Sequence, residues 1–210
     1  MKFLVTGLIL FALSVSKLYA FEQEFFLELD MTWNYSWQDK TNFYAYTEND
    51  SFLSGLGGGL GYRISFDLDY LQLGGIISYQ QKSEDIIRSS GASNDEFSMN
   101  LESTRVGLFL KLPLWQGLSI YAEYCPSVSS KLKKQNSSGY SPMSLGDSLR
   151  GVSSGYGLYM YWQNNIAVSA IFRQTIYKDV GLSGASLSLP NDQYNRISLD
   201  EFVVQMSYWY

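Results

Sequence analysis

The chain has 210 residues, 46% hydrophobic and 17% charged, with a formal charge of −5. It holds one Cys and no His. This removes an internal disulfide framework, CxxC sites, His-ligated zinc, Ser-His-Asp and Cys-His catalysis, and any His general base. With acid in excess and no basic cluster to track a phosphate backbone, nucleic acid is not an expected partner. No cofactor is expected either.

Met1-Lys2 opens the chain, Phe3 to Val15 is apolar, and Ser16 to Ala20 is more polar with a small last residue. That is the order of a secretory signal peptide, and the apolar run is short for a membrane helix. Cleavage is expected after Ala20, leaving 21–210 as a single domain.

From residue 24 onward the hydrophobic pattern has period two, the signature of strands with unlike faces. In the first strand Phe25, Leu27, Leu29, Met31, Trp33, Tyr35 and Trp37 share one face. Glu24, Glu28, Asp30, Thr32, Asn34 and Ser36 share the other, with Phe26 as the apolar exception. The second strand sets Leu56, Leu60, Tyr62, Ile64 and Phe66 against a glycine-rich face with Arg63. The tract Gly55 to Gly61 lacks the Gly-Lys-Ser/Thr ending of a phosphate loop, so its inward glycines read as space for large neighbours or as barrel curvature. The third strand alternates from Leu71 to Gln80. The fourth carries Val106, Leu108, Leu110 and Leu112 against Arg105 and Lys111. Phe97, Met99 and Leu101 have the opposite phase, which predicts a bulge near Ser103. The fifth pairs Leu118, Ile120, Ala122 and Tyr124 with Tyr121, Glu123 and an interior Cys125. The sixth runs Val152 to Trp162. Its Gly151-Val-Ser-Ser-Gly155 is no nucleophile elbow, because it opens a strand and there is no His. The seventh runs Ile166 to Thr175 with Arg173 inward, and the eighth runs Glu201 to Tyr210.

Three connections are tight: Asp67 to Asp69, Pro113 to Gly117, and Gln163 to Asn165. Four are long and polar: Gln38 to Ser51, Lys82 to Glu96, Ser127 to Arg150, and Asp179 to Ser198. Short turns at one end and long loops at the other define an all-β, eight-stranded antiparallel up-and-down transmembrane barrel, with three periplasmic turns and four outer loops. Eight strands enclose little space, so the bulky apolar face must point outward, into lipid. Aromatic residues near the strand ends fit two interfacial girdles.

On these grounds, and on the last strand Phe202-Val-Val-Gln-Met-Ser-Tyr-Trp-Tyr210, the chain resembles the small outer-membrane β-barrels of diderm bacteria, the OmpA-barrel, OmpX and OmpW group. The resemblance covers 21–210 and implies export through the Sec route to the outer membrane. It also implies contact with outer-membrane lipid and lipopolysaccharide, and recognition of the last strand by the assembly machinery. Phe202, Met206, Tyr208 and Tyr210 are the candidate assembly signal, with Tyr210 where Phe is usual. No peptidoglycan-binding domain is expected after the barrel.

Six inward charges form the candidate lumen network, because a buried charge without a partner costs several kcal/mol. Counting heights from the turns predicts Arg63 with Glu28, Arg105 with Glu123, and Arg173 with Glu201. Lys131, Lys133 and Lys134 make a basic patch in the third loop, able to meet lipopolysaccharide or a host polyanion. The acidic Glu48-Asn-Asp50 and Asn94-Asp-Glu96 have no EF-hand spacing. The expected function is a non-enzymatic envelope or surface protein whose loops meet an extracellular ligand. The alternative is a narrow channel or transporter for small, even apolar, solutes.

Overall fold

The computed structural model describes residues 21–39, 55–68, 70–90, 93–137, 146–162, 165–181 and 194–209. The signal segment, Glu48, Asp50 and Tyr210 lie outside the described residues. Eight strands follow in chain order: β1 (Phe21–Asp39), β2 (Gly55–Asp67), β3 (Gln72–Ser90), β4 (Ser93–Trp115), β5 (Leu118–Ser137), β6 (Ser148–Tyr161), β7 (Ile166–Gly181) and β8 (Tyr194–Trp209). Each pairs antiparallel with the next, and β8 pairs back onto β1, so the sheet closes. Closure leaves no unpaired strand edge, which is what a sheet in lipid requires.

The turns are as tight as their residues suggest. β4 and β5 are joined through Gln116 and Gly117, and Gly117 takes a φ of 78°, where glycine is unstrained. Asn165 closes the β6–β7 turn at φ 63°, a region Asn tolerates.

At the other end the strands run further than the hydrophobic alternation alone predicts. The expected loop from Lys82 to Glu96 is mostly hairpin: β3 and β4 pair without a shift from Gln72–Lys111 to Ser90–Ser93. Only 91–92 separate the two strands. The polar residues misled because a strand standing beyond the membrane has water on its outer face. The predicted bulge near Ser103 is likewise absent from this ladder. Leu101, Ser103 and Arg105 all point inward, and the irregularities of β4 fall against β5, near Asn100, Val106 and Pro113. Leu101 breaks the apolar-out rule because it covers the lumen above the charges.

The outer face is bulky and apolar. Leu29 is 70% exposed, Leu108 59% and Tyr156 68%, within a belt that continues through Leu27, Leu60, Ile77, Leu158, Phe172 and Met206. A continuous apolar surface of this kind needs a lipid solvent. Tyr70, Trp115, Trp162 and Tyr208 stand exposed at the turn end, where an aromatic girdle belongs.

The glycines of β2 have a steric purpose. Phe26, Glu28 and Asp30 of β1 lie directly opposite Gly61, Gly59 and Gly57. A Cβ at Gly61 would come within 2.7 Å of Phe26 Cε1, and one at Gly57 within 2.7 Å of Asp30 Oδ2. The missing side chains let β1 send three large groups into a narrow lumen. Gly61→Val is therefore expected to cost about 1–3 kcal/mol by overpacking, read as a lower urea midpoint in detergent. An unchanged midpoint would mean that Phe26 does not fill that space.

Candidate functional site

The lumen is filled in tiers. Nearest the turns, Phe26, Phe109, Tyr121 and Tyr159 are buried, with Tyr161 and Trp209 packed against them. Tyr121 stacks between Phe109 and Tyr159 at centroid distances of 6.0 and 6.4 Å. The Trp209 indole donates to the Tyr159 hydroxyl at 3.0 Å. Two cations enter this aromatic layer and share one carboxylate. Arg63 Nη1 donates to Glu24 Oε1 at 2.6 Å, and Lys111 Nζ to Glu24 Oε2 at 2.7 Å. The Arg63 guanidinium sits 4.2 Å from the Phe26 ring centre, and the Lys111 ammonium 3.8 Å from that of Tyr159. Both are geometries that favour a cation over a ring.

The middle tier joins Arg105 and Arg173 to Glu28 and Glu123. Arg105 Nη2 donates to Glu28 Oε1 at 2.5 Å, and Arg173 Nε to Glu123 Oε1 at 2.6 Å. Arg173 Nη2 also reaches Glu28 Oε2 at 3.3 Å. Gln205 links this tier to the one below. Its amide nitrogen donates to Glu28 at 3.1 Å, and its carbonyl oxygen accepts from Arg63. In the upper tier Lys82 lies among three carboxylates: Asp30 at 3.0 Å, Glu84 at 3.6 Å, and Glu201. Thr32 donates to Glu84 at 2.7 Å, and Gln80 to Asp30 at 2.5 Å. Toward the loop end the buried residues turn apolar again, with Leu101, Val128, Leu132, Leu149, Tyr177 and Leu199.

All six charges singled out from the alternation are buried in the interior; of the expected pairs Arg105 with Glu123 is present, as a long contact, and the other two are not formed. Arg63 bonds Glu24, not Glu28. Arg105 takes Glu28 as its close partner and keeps only a 3.8 Å contact with Glu123. Arg173 and Glu201 are opposite in register yet form no ion pair. Arg173 turns to Glu123 and Glu28, while Glu201 meets Lys82 and accepts from Thr175 at 3.2 Å. For Arg63 the reason is register, because Glu24 lies directly opposite it on β1; for Arg105 and Arg173 it is reach. A long cationic side chain in a narrow barrel spans the lumen, so its partner need not sit on the next strand.

Five further members of the network were missed: Glu24, Asp30, Lys82, Glu84 and Lys111. Glu24, Asp30 and Lys111 already lay on inward faces. Lys82 and Glu84 continue the inward phase of Ser78 and Gln80, a signal hidden by reading 82–96 as a loop. Of the C-terminal residues, Phe202 packs against Phe172 with ring centres 5.4 Å apart, and Met206 and Tyr208 point outward. The basic patch divides. Lys131, Lys133 and Lys134 are exposed on β5 rather than in a loop, and Lys133 is held by Glu102 at 2.8 Å.

A closed antiparallel barrel with an apolar outer belt and a polar, plugged lumen defines an integral membrane β-barrel protein. Residues 8–208 match the outer membrane protein beta-barrel domain family, and the chain belongs to that family. Its place is the bacterial outer membrane. Similar solved structures include Ail, the attachment invasion locus protein of Yersinia pestis, at 13% identity over 90% of this chain and 99% of that one, with a TM-score of 0.47. OprG of Pseudomonas aeruginosa is 9% identical over 91% of this chain and 97% of that one, with a TM-score of 0.49. Neisserial surface protein A is 12% identical over 88% and 96%, with a TM-score of 0.45. No curated protein matches the chain in sequence.

Proposed function

We propose that the barrel is a non-enzymatic membrane anchor that presents its loop end as a contact surface for an extracellular ligand. The observation that carries this reading is the filled lumen. At the level of Arg105, Tyr177, Leu199 and Glu201 the free space is about 10 Å³, the lower limit for one water. Above and below it, apolar and aromatic layers cross the bore. A narrow channel would need those layers and the crosswise ion pairs to part. Function on such a scaffold belongs to the connections between strands.

Planar-bilayer recording of the refolded protein tests this. The expected result is a silent barrel. Steady unitary conductance would favour the narrow-channel reading instead. In cells displaying the protein, replacing 40–54 and 182–193 with short glycine-serine linkers is expected to abolish adhesion to matrix-coated surfaces. The heat-dependent shift in gel migration should survive the replacement.

The export and assembly readings are proposals of the same kind. Residues 1–20 serve as a leader cut after Ala20, so the mature protein should begin at Phe21 when its N-terminus is sequenced. Phe202, Met206, Tyr208 and Tyr210 serve as the signal read by the assembly machinery. Support comes from the outward face of β8 and its place at the barrel seam, where Tyr208 pairs with Phe25 and Trp209 with Glu24. Deleting Tyr208 to Tyr210 is expected to leave the chain aggregated or degraded in the periplasm. Normal heat-modifiable protein in the membrane fraction would rule the signal out.

A further inference from the structure

Above the apolar belt the barrel is not the same all round. Among the outward residues eleven to thirteen positions from the turn-end strand termini are Trp33 on β1, Leu56 on β2, Ser83 on β3, and Thr104 and Glu102 on β4. At the same distance on the next three strands stand Lys131, Arg150 and Lys178, with Asp179 beside Lys178 and opposite Arg150 in register. With about 3.3 Å per residue and strands tilted about 40°, this level lies roughly 30 Å above the turn end. The apolar band of such barrels is about 25 Å tall. The three cations therefore stand at the headgroup level of the outer leaflet, on one side of the barrel.

Two of them, Arg150 and Lys178, also line a real depression, and Lys131 stands beyond its edge. Ser127, Ser129, Arg150, Lys178 and Asp179 line a groove of about 400 Å³ across the outer face of β5, β6 and β7. Ser129 is the register partner of Arg150, and Lys131 follows two positions further on the same face. Among the described residues no ion pair occupies Lys131, Arg150 or Lys178, whereas Lys133 is taken by Glu102. Below the groove, Tyr124, Tyr156 and Phe172 are exposed to the belt. Cations and hydroxyls above, with aromatic rings below, match an amphiphile with an anionic head and acyl tails.

We propose that this groove binds the phosphate groups of an anionic lipid headgroup in the outer leaflet, with Arg150 and Lys178 as the phosphate ligands and Lys131 flanking them. The acyl chains lie along Tyr124, Tyr156 and Phe172. Arg150 supplies a fork of donors that fits phosphate oxygens, and Lys178 supplies a point charge. Asp179 opposes the anion. The inference rests on the outer-membrane orientation of the loop end and not on the loop-contact reading, so loop replacement leaves it untouched.

Native mass spectrometry of the full protein in neutral detergent tests the site, with diphosphorylated lipid A, dephosphorylated lipid A and inorganic phosphate as probes. Each interfacial cation is worth about fivefold in affinity, so Arg150→Gln with Lys178→Gln should weaken diphosphorylated lipid A binding about 25-fold. Lys133→Gln should leave binding unchanged. Asp179→Asn should tighten it, an outcome that damaged folding cannot produce. Dephosphorylated lipid should bind the parent no better than the phosphorylated lipid binds the double variant. Equal binding by parent and double variant overturns the site. Competition by equimolar inorganic phosphate overturns the lipid assignment and leaves a free-phosphate site. If the double variant does not fold, the two single variants and Asp179→Asn carry the same test.

Discussion

Replacing Glu28 by Ala is expected to destabilise the barrel by about 3–5 kcal/mol, because it strips a carboxylate from two buried guanidiniums at once. Arg105 would keep only its 3.8 Å contact with Glu123. Arg173 would keep its 2.6 Å bond to Glu123, and Gln205 would lose an acceptor. Glu28→Gln should cost less, since an acceptor oxygen remains. A double-mutant cycle in urea gives the sharper test. Arg105 and Glu28 should couple within the 0.5–3 kcal/mol range of contacting pairs, and more strongly than Arg105 and Glu123. Strictly additive effects for Arg105 and Glu28 would mean that the two never meet and that the middle tier is wrong. The same variants in planar bilayers separate plug from gate. A plug leaves Glu28→Ala silent wherever the barrel still folds, whereas a gate makes it conduct.

The second large effect belongs to Arg63, which is fully buried in the aromatic tier. Its guanidinium lies 4.2 Å from the Phe26 ring centre and 4.8 Å from that of Tyr121, and it bonds Glu24. Arg63→Ala opens a cavity and removes one of the two cations on Glu24. A loss of about 3–5 kcal/mol is expected, read as a lower urea midpoint and earlier loss of the compact band on heating. Lys111 remains on Glu24 at 2.7 Å, so the carboxylate is not left bare. Arg63→Lys keeps the charge but not the planar fork that stacks on rings and bonds Glu24 and Gln205 together. It should therefore recover only part of the loss. A fully stable Arg63→Lys barrel would show that charge alone holds this tier.

The alternation along the chain determined a good deal by itself. Period two from Phe25 to Tyr35 and its recurrence in seven later segments define the strand count, because only a strand sends neighbouring residues to opposite sides. The small inward residues of β2 left large neighbours or barrel curvature open, and Phe26 opposite Gly61 decided for a large neighbour. Missing His removed most enzyme chemistry before any contact was known. Only the closed barrel decided which charges meet. Arg105 on β4 finds Glu28 on β1, Lys111 on β4 finds Glu24 on β1, and Lys82 on β3 finds Glu201 on β8. These partners face each other across the bore, and no spacing along the chain encodes that distance. Tertiary structure likewise gathered Lys131, Arg150 and Lys178 on one side. They come from three strands whose alignment depends on register and bulges, which are set by how the whole sheet curls shut.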